Sequence, residues 1–168
     1  MAGNISRLFF FKNDTMFSAI KKKLKALRDV LEDPNRMMER IIAEDDIQNK
    51  IIELNQQQLY DKGIQADGTP TGNYSETSIE VFGKEPGHIT LKDTGAFFSS
   101  FKVIQGTEGF LIIANTLKAV ADYKDVGLTF DLLERWPKAL GLTQESKNLL
   151  SPDIADKVRE RLKLAISK

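Results

Sequence analysis

Apolar residues recur three or four positions apart over three long stretches of the chain, and a shorter middle stretch changes to alternation. From Asn13 to Asp33 the stripe is Met16, Ile20, Leu24, Leu27 and Leu31, which predicts an amphipathic helix opened by the capping residues Asn13 and Asp14. A second helix is predicted between Asp33 and Gly63. Asp33 caps it, Pro34 takes the first position where a missing N–H costs nothing, and Gly63 stops it in the left-handed conformation. Its stripe of Met37, Ile41, Ile47, Ile51, Leu54 and Leu59 is interrupted at Glu44–Asp46, which reads as a helix buried over part of its length. Gln56, Gln57 and Gln58 near its end read as a solvated face, with a subunit contact as the other reading. Near the C-terminus Thr143 caps a short helix through Leu150, and Ser151-Pro152-Asp153 starts a last one with Ile154, Val158, Leu162 and Ile166 on a single buried face. Lys163 and Lys168 complement the dipole of that helix.

Between the helical stretches, Gln65 to Asn73 gathers Gly, Pro, Asn and Asp and marks a loop. Ser78–Phe82 alternates Ile79 and Val81 with polar neighbours, K-E-P-G turns the chain, and H-I-T-L leads into L-K-D-T-G-A-F-F-S-S-F, Leu91–Phe101. Asp93 and Thr94 are expected to cap a helical turn, Gly95 to let the backbone turn, and Phe97 and Phe101 to share one packed face. F-K-V-I, a Q-G-T-E-G turn and F-L-I-I-A follow, the last reading as a central strand. Together these predict an antiparallel sheet of about three or four strands. The chain is thus an α+β fold: a small, mainly antiparallel sheet packed with helices, long helices N-terminal and one C-terminal. Residues 1–33 form an arm with a basic helix and 34–168 one domain. In the arm, Leu8, Phe9, Phe10 and Phe11 read as an edge strand or a segment inserted into a neighbour. Trp136 is an anchor for the core or for an interface.

Composition narrows the function classes. The chain has 168 residues, 41% hydrophobic and 29% charged, ordinary values for one soluble domain. No apolar run is long enough to span a membrane, and Met1–Lys12 is a poor secretory signal. No cysteine and the single His88 argue against disulfides, zinc thiolates and a histidine metal site, so no cofactor is expected. The loop at Gln65–Asn73 lacks the Lys-Ser/Thr of a phosphate cradle. Net charge is zero, yet Lys21, Lys22, Lys23, Lys25 and Arg28 cluster on the first helix. They form a solvated face, a docking surface for DNA phosphates or an acidic partner, or, least supported by the narrow stripe, a membrane-surface helix.

Asp93-Thr94-Gly95 also matches the turn of aspartic proteases, whose paired carboxylates share a proton because both cannot ionise at close range. A chain with one such turn would build the dyad by dimerising. Lys92 directly before Asp93, the polar His88 and Thr90, and the lack of a glycine after F-L-I-I-A-N depart from that pattern.

Over Asp67 to Ile166 the order of motifs resembles the virion-morphogenesis or tail-completion proteins of Mu-like and related tailed phages. D-G-T-P-T-G-N-Y-S-E-T with Tyr74 is similar to the family's Pro/Gly loop and aromatic residue. Leu91, Thr94, Gly95, Phe97 and Phe101 fall on its Leu-x-x-Thr-Gly-x-Leu-x-x-Ser-Ile signature. F-L-I-I-A-N with Val120 to Gly127 resembles its strand and Tyr-Ala-x-x-His-Gln-x-Gly segment, and Leu140-Gly141-Leu142-Thr143 its closing Leu-Gly-Leu. The chain departs from the family at Tyr74 for tryptophan, Val120 for tyrosine, Lys124-Asp125 for His-Gln, and in the order Arg135-Trp136-Pro137-Lys138. The resemblance implies a non-enzymatic subunit of a ring at the neck between capsid and tail. Its partners would be its own copies and portal, neck or tail proteins, in the host cytoplasm during assembly and then in the virion. Two other classes stand beside it: the dimeric protease at Asp93, and a basic-helix module that binds nucleic acid.

Overall fold

The structure, a computed structural model, describes residues 10–106, 109–119 and 129–167; the side chains at 10–16, 29–30, 118–119 and 129 lie outside the description. It is an α+β fold, with seven helices and two antiparallel strand pairs among the described residues. The chain divides into two units, residues 1–41 with 154–168, and residues 42–153.

In the first unit, α1 (Phe10–Leu31) starts earlier than its capping residues predict, so Phe10 and Phe11 are helical rather than part of an edge strand. Phe9 lies outside the described residues. The apolar stripe of α1 is largely uncovered: Ile20, Leu24 and Leu31 are 41%, 59% and 51% exposed, and Phe17 beside them 59%. Asp33 caps α2 (Pro34–Ile42) as expected, its Oδ1 accepting the Arg36 N–H at 2.9 Å.

The helix predicted from Asp33 to Gly63 is two helices, because the chain breaks at Ala43–Glu44 and restarts as α3 (Asp45–Tyr60). Glu44 is extended at the cap, and Asp45 and Asp46 lie in the first turn, where carboxylates favour a helix start. The interruption in the stripe is thus a boundary rather than an exposed stretch of one helix.

In the second unit α3 is the central support, burying Ile47, Ile51, Leu54, Asn55, Gln58 and Leu59. It packs on β1 (Lys102–Gly106), which forms a hairpin with β2 (Gly109–Ile113). Val103 and Ile112 pair across the hairpin and face the core, while the next pair, Ile104 and Leu111, faces out. Among the described residues β2 pairs only with β1, so it is an edge strand rather than the centre of a larger sheet, and half of its apolar side chains stay uncovered. A second pair joins β3 (Leu117–Ala119) to β4 (Thr129–Asp131).

Ser78–Phe82, predicted as a strand, lies in α4 (Glu76–Phe82). The Ser75 hydroxyl accepts the Ser78 N–H, and Gly83 closes the helix at φ 62°. A start and a stop signal with seven residues between them outweigh a short alternation that buries no side chain. His88–Leu91 likewise forms no strand beyond one bridge, Asn73 to His88. α5 (Ala96–Ser99) is one turn, followed by α6 (Leu132–Arg135) and α7 (Gln144–Ser167). Ser151-Pro152-Asp153 does not start a new helix: Pro152 lies inside α7, which Thr143 caps through the Ser146 N–H at 3.1 Å. Of its expected buried face, Ile154, Val158 and Leu162 are half-buried and Ile166 is 43% exposed. No helix of the described residues is long and apolar enough to cross a membrane.

Candidate functional site

The segment from Leu91 to Gly95 is the most constrained backbone in the second unit. Leu91 and Asp93 have positive φ, 57° and 37°, a conformation that costs a residue with a Cβ. Leu91 is buried, and Asp93 accepts a 2.6 Å hydrogen bond from the Lys84 ammonium. The bond to Asp93 raises the Lys84 pKa above the ordinary lysine value, against the opposing effect of burial.

The capping role expected of Asp93 and Thr94 is not what the structure gives them. α5 is entered through Gly95 at φ 81° with no side-chain cap. Thr94 Oγ1 receives only a long 3.4 Å contact from the Ala96 N–H. The Asp93 carboxylate accepts a charge-assisted bond from Lys84, the stronger kind of partner for a carboxylate. The aromatic expectation does hold: Phe97 and Phe101 are buried edge to face at 4.9 Å between centroids, with Phe98 completing the cluster.

Beside this segment opens a cleft of about 280 Å³. Tyr74, Lys84 and Asp93 lie on its lining with Leu117, Phe130 and Arg135. Tyr74 OH lies 3.3 Å from Thr90 Oγ1, which fixes the ring, and the Arg135 guanidinium stacks 4.9 Å from the Trp136 ring centroid. The Asp93 side chain is 36% exposed and ion-paired. No group of three or more His, Asp or Glu able to hold a metal is found among the described residues.

Of the two roles open to Trp136, the structure gives the core one. It is 6% exposed, and its indole N–H donates to the Thr71 carbonyl at 2.8 Å, so it is not a surface contact for a partner. Thr71 Oγ1 in turn donates to the Ile89 carbonyl at 2.7 Å. The Leu140–Thr143 stretch is tied to α3: Gln58 Nε2 donates to the Gly141 carbonyl, while Gln58 Oε1 accepts the Thr143 N–H at 3.0 Å and the Ser146 hydroxyl at 3.2 Å. Asn55 Nδ2 donates to the Ala139 carbonyl at 3.0 Å. Gln58 is thus buried rather than solvated, while Gln57 bonds Glu53 on the surface. Sequence reasoning missed Asn55 and Gln58, although both stand on the face set by Ile47, Ile51 and Leu54. Gly141, at φ 141°, has the Ala66 methyl 3.0 Å from where a Cβ would stand. Gly127 lies outside the described residues. Lys21, Lys22, Lys23 and Lys25 are exposed on α1 as expected.

Comparison of the chain with protein-family models, with curated proteins and with solved structures finds no match.

Proposed function

We propose that the chain is a structural subunit of a phage virion, completing or connecting the head–tail junction as a member of a homo-oligomeric ring. The observation that carries this reading is the way the motif stretches are used. The Asp67–Thr77 loop, the approach to Leu91 and the Leu140–Thr143 stretch are joined by buried hydrogen bonds around α3, through Thr71, Trp136 and Gln58. Residues carrying the resemblance to tail-completion proteins thus serve as ties within one unit. The outward face of the β1–β2 hairpin, with Ile104, Leu111 and Ile113 each at least 41% exposed, supplies apolar area for a neighbour. Neither outer edge of that hairpin pairs with another strand among the described residues, which leaves backbone groups for strand addition. Symmetry then repeats each contact around the ring axis.

Light scattering and negative-stain imaging of the purified chain test this. A closed ring is expected, and Leu111→Glu should reduce it to monomer while leaving the circular dichroism spectrum unchanged. In a phage lacking the gene, the intact chain should restore tailed particles and the variant should not. A chain that stays monomeric at high concentration, together with normal particles in its absence, would sink the proposal.

A further inference from the structure

The exposed stripe of α1 has a register that decides what it fits. Phe17, Ile20, Leu24, Leu27 and Leu31 follow one another at spacings of three, four, three and four. That is the a and d pattern of a heptad repeat, which keeps one apolar seam against a neighbouring helix. Phe17, Ile20, Leu24 and Leu31 are all more than 40% exposed, and Leu27 is half-buried, so the described residues of its own unit leave the seam largely uncovered.

Between Phe17 and Leu31, three of the four positions flanking the seam are cationic, the fourth being Val30 at g. With Phe17 at a, Lys21 and Arg28 stand at e and Lys23 at g, all exposed. A second copy docked in parallel would set Lys23 against Arg28. Docked antiparallel, it would set Lys23 against Lys23 and Lys21 against Arg28. Like charges meet in both orientations, and e and g charges are what select a coiled-coil partner. The helix as a whole carries six cationic side chains against two carboxylates. Arg28 is the flanking cation with an ion pair of its own here, an exposed pair with Glu32 that is weak enough for a partner carboxylate to replace.

We infer that α1 is a docking surface for an acidic amphipathic helix of another protein, with apolar residues at its own a and d positions and Glu or Asp at e and g. The seam supplies contact area, and the flanking charges reject a second copy and choose the sign of the partner. The inference does not depend on the virion reading; it needs only the seam and its flanks.

The test titrates the full chain into a labelled synthetic peptide of about three heptads, with Leu and Ile at a and d and Glu at e and g, followed by fluorescence anisotropy. A peptide with Lys at e and g is the control. The acidic peptide should bind at least about tenfold more tightly than the basic one. Combining Lys21→Glu, Lys23→Glu and Arg28→Glu should invert that order, and Leu24→Gln should weaken whichever peptide binds. Circular dichroism of each variant checks that the chain remains folded. Equal affinity for the two peptides, or no binding to either, overturns the inference. So does self-association in sedimentation that Leu24→Gln abolishes, since the seam then takes a second copy. Binding of duplex DNA or anionic vesicles that the Lys→Glu changes abolish, with no binding of the acidic peptide, also overturns it.

Discussion

Gln58 shows how much one side chain can be asked to do. Buried to 2% exposure, it donates to one backbone carbonyl and accepts from a backbone N–H and a hydroxyl, so it satisfies groups that would otherwise be orphaned at the start of α7. Gln58→Leu keeps the volume and removes all three bonds. It should cost about 2–4 kcal/mol, the penalty for leaving buried backbone groups unpaired. Urea denaturation measures it, and a loss below about 1 kcal/mol would mean water replaces the amide. The Lys84–Asp93 pair is a smaller matter, because both side chains are about a third exposed, at 30% and 36%. Lys84→Met should lower stability at neutral pH by roughly 0.2–1 kcal/mol, as should Asp93→Ala, less than a lost helix cap can cost. The folded-state pKa of Lys84 is raised, so this stabilisation is fully present below the ordinary lysine value and is lost as pH rises through the higher folded value. Stability curves of wild type and Lys84→Met should therefore converge at strongly alkaline pH. A gap that stays constant there would assign the effect to the packing of the lysine stem instead.

At the scale of elements, local signals and tertiary demand compete in different ways. α4 forms against an alternating pattern because Ser75 and Gly83 bracket it. α7 forms across Ser151-Pro152-Asp153, a sequence that resembles a helix start. Proline inside a helix removes one hydrogen bond and crowds the preceding turn, at a cost of about 3 kcal/mol, partly offset by the freedom it takes from the unfolded chain. Pro152→Ala should thus raise stability by about 1–3 kcal/mol and leave helical content equal or higher. Thermal melts with far-ultraviolet dichroism decide this. A destabilised Ala variant would mean that the proline starts a helix of its own, as the residues taken alone suggest.

For the whole molecule, the distribution of the core sets the expectation. Among the described residues, Ile41 is the one buried apolar side chain outside residues 42–153, and the Phe97, Phe98 and Phe101 cluster and the Gln58 ties lie within them. A fragment of those residues should fold cooperatively, with a single melting transition and a near-ultraviolet signal from Trp136. A fragment with secondary structure but no cooperative melt would show that the remaining segments are needed for the fold.

What the sequence by itself determined is the set of features that act over a few residues. The α+β class, the cap of α2 at Asp33, the β1–β2 hairpin, the loop after Gly63 and the basic face of α1 were all legible, because capping oxygens, turn glycines and periodicity work locally. Tertiary structure decided whatever depends on the partner across the fold. An apolar stripe has the same spacing whether it is covered, as in α3, or left open, as in α1. The apolar run of β2 reads as central, yet among the described residues it is paired on one edge only. Asp93 has the chemistry of a cap, but Lys84, nine residues away in sequence, takes its carboxylate. A polar residue such as Gln58 enters the core only where a bend elsewhere in the chain presents unpaired backbone to it, and no spacing along the sequence records that.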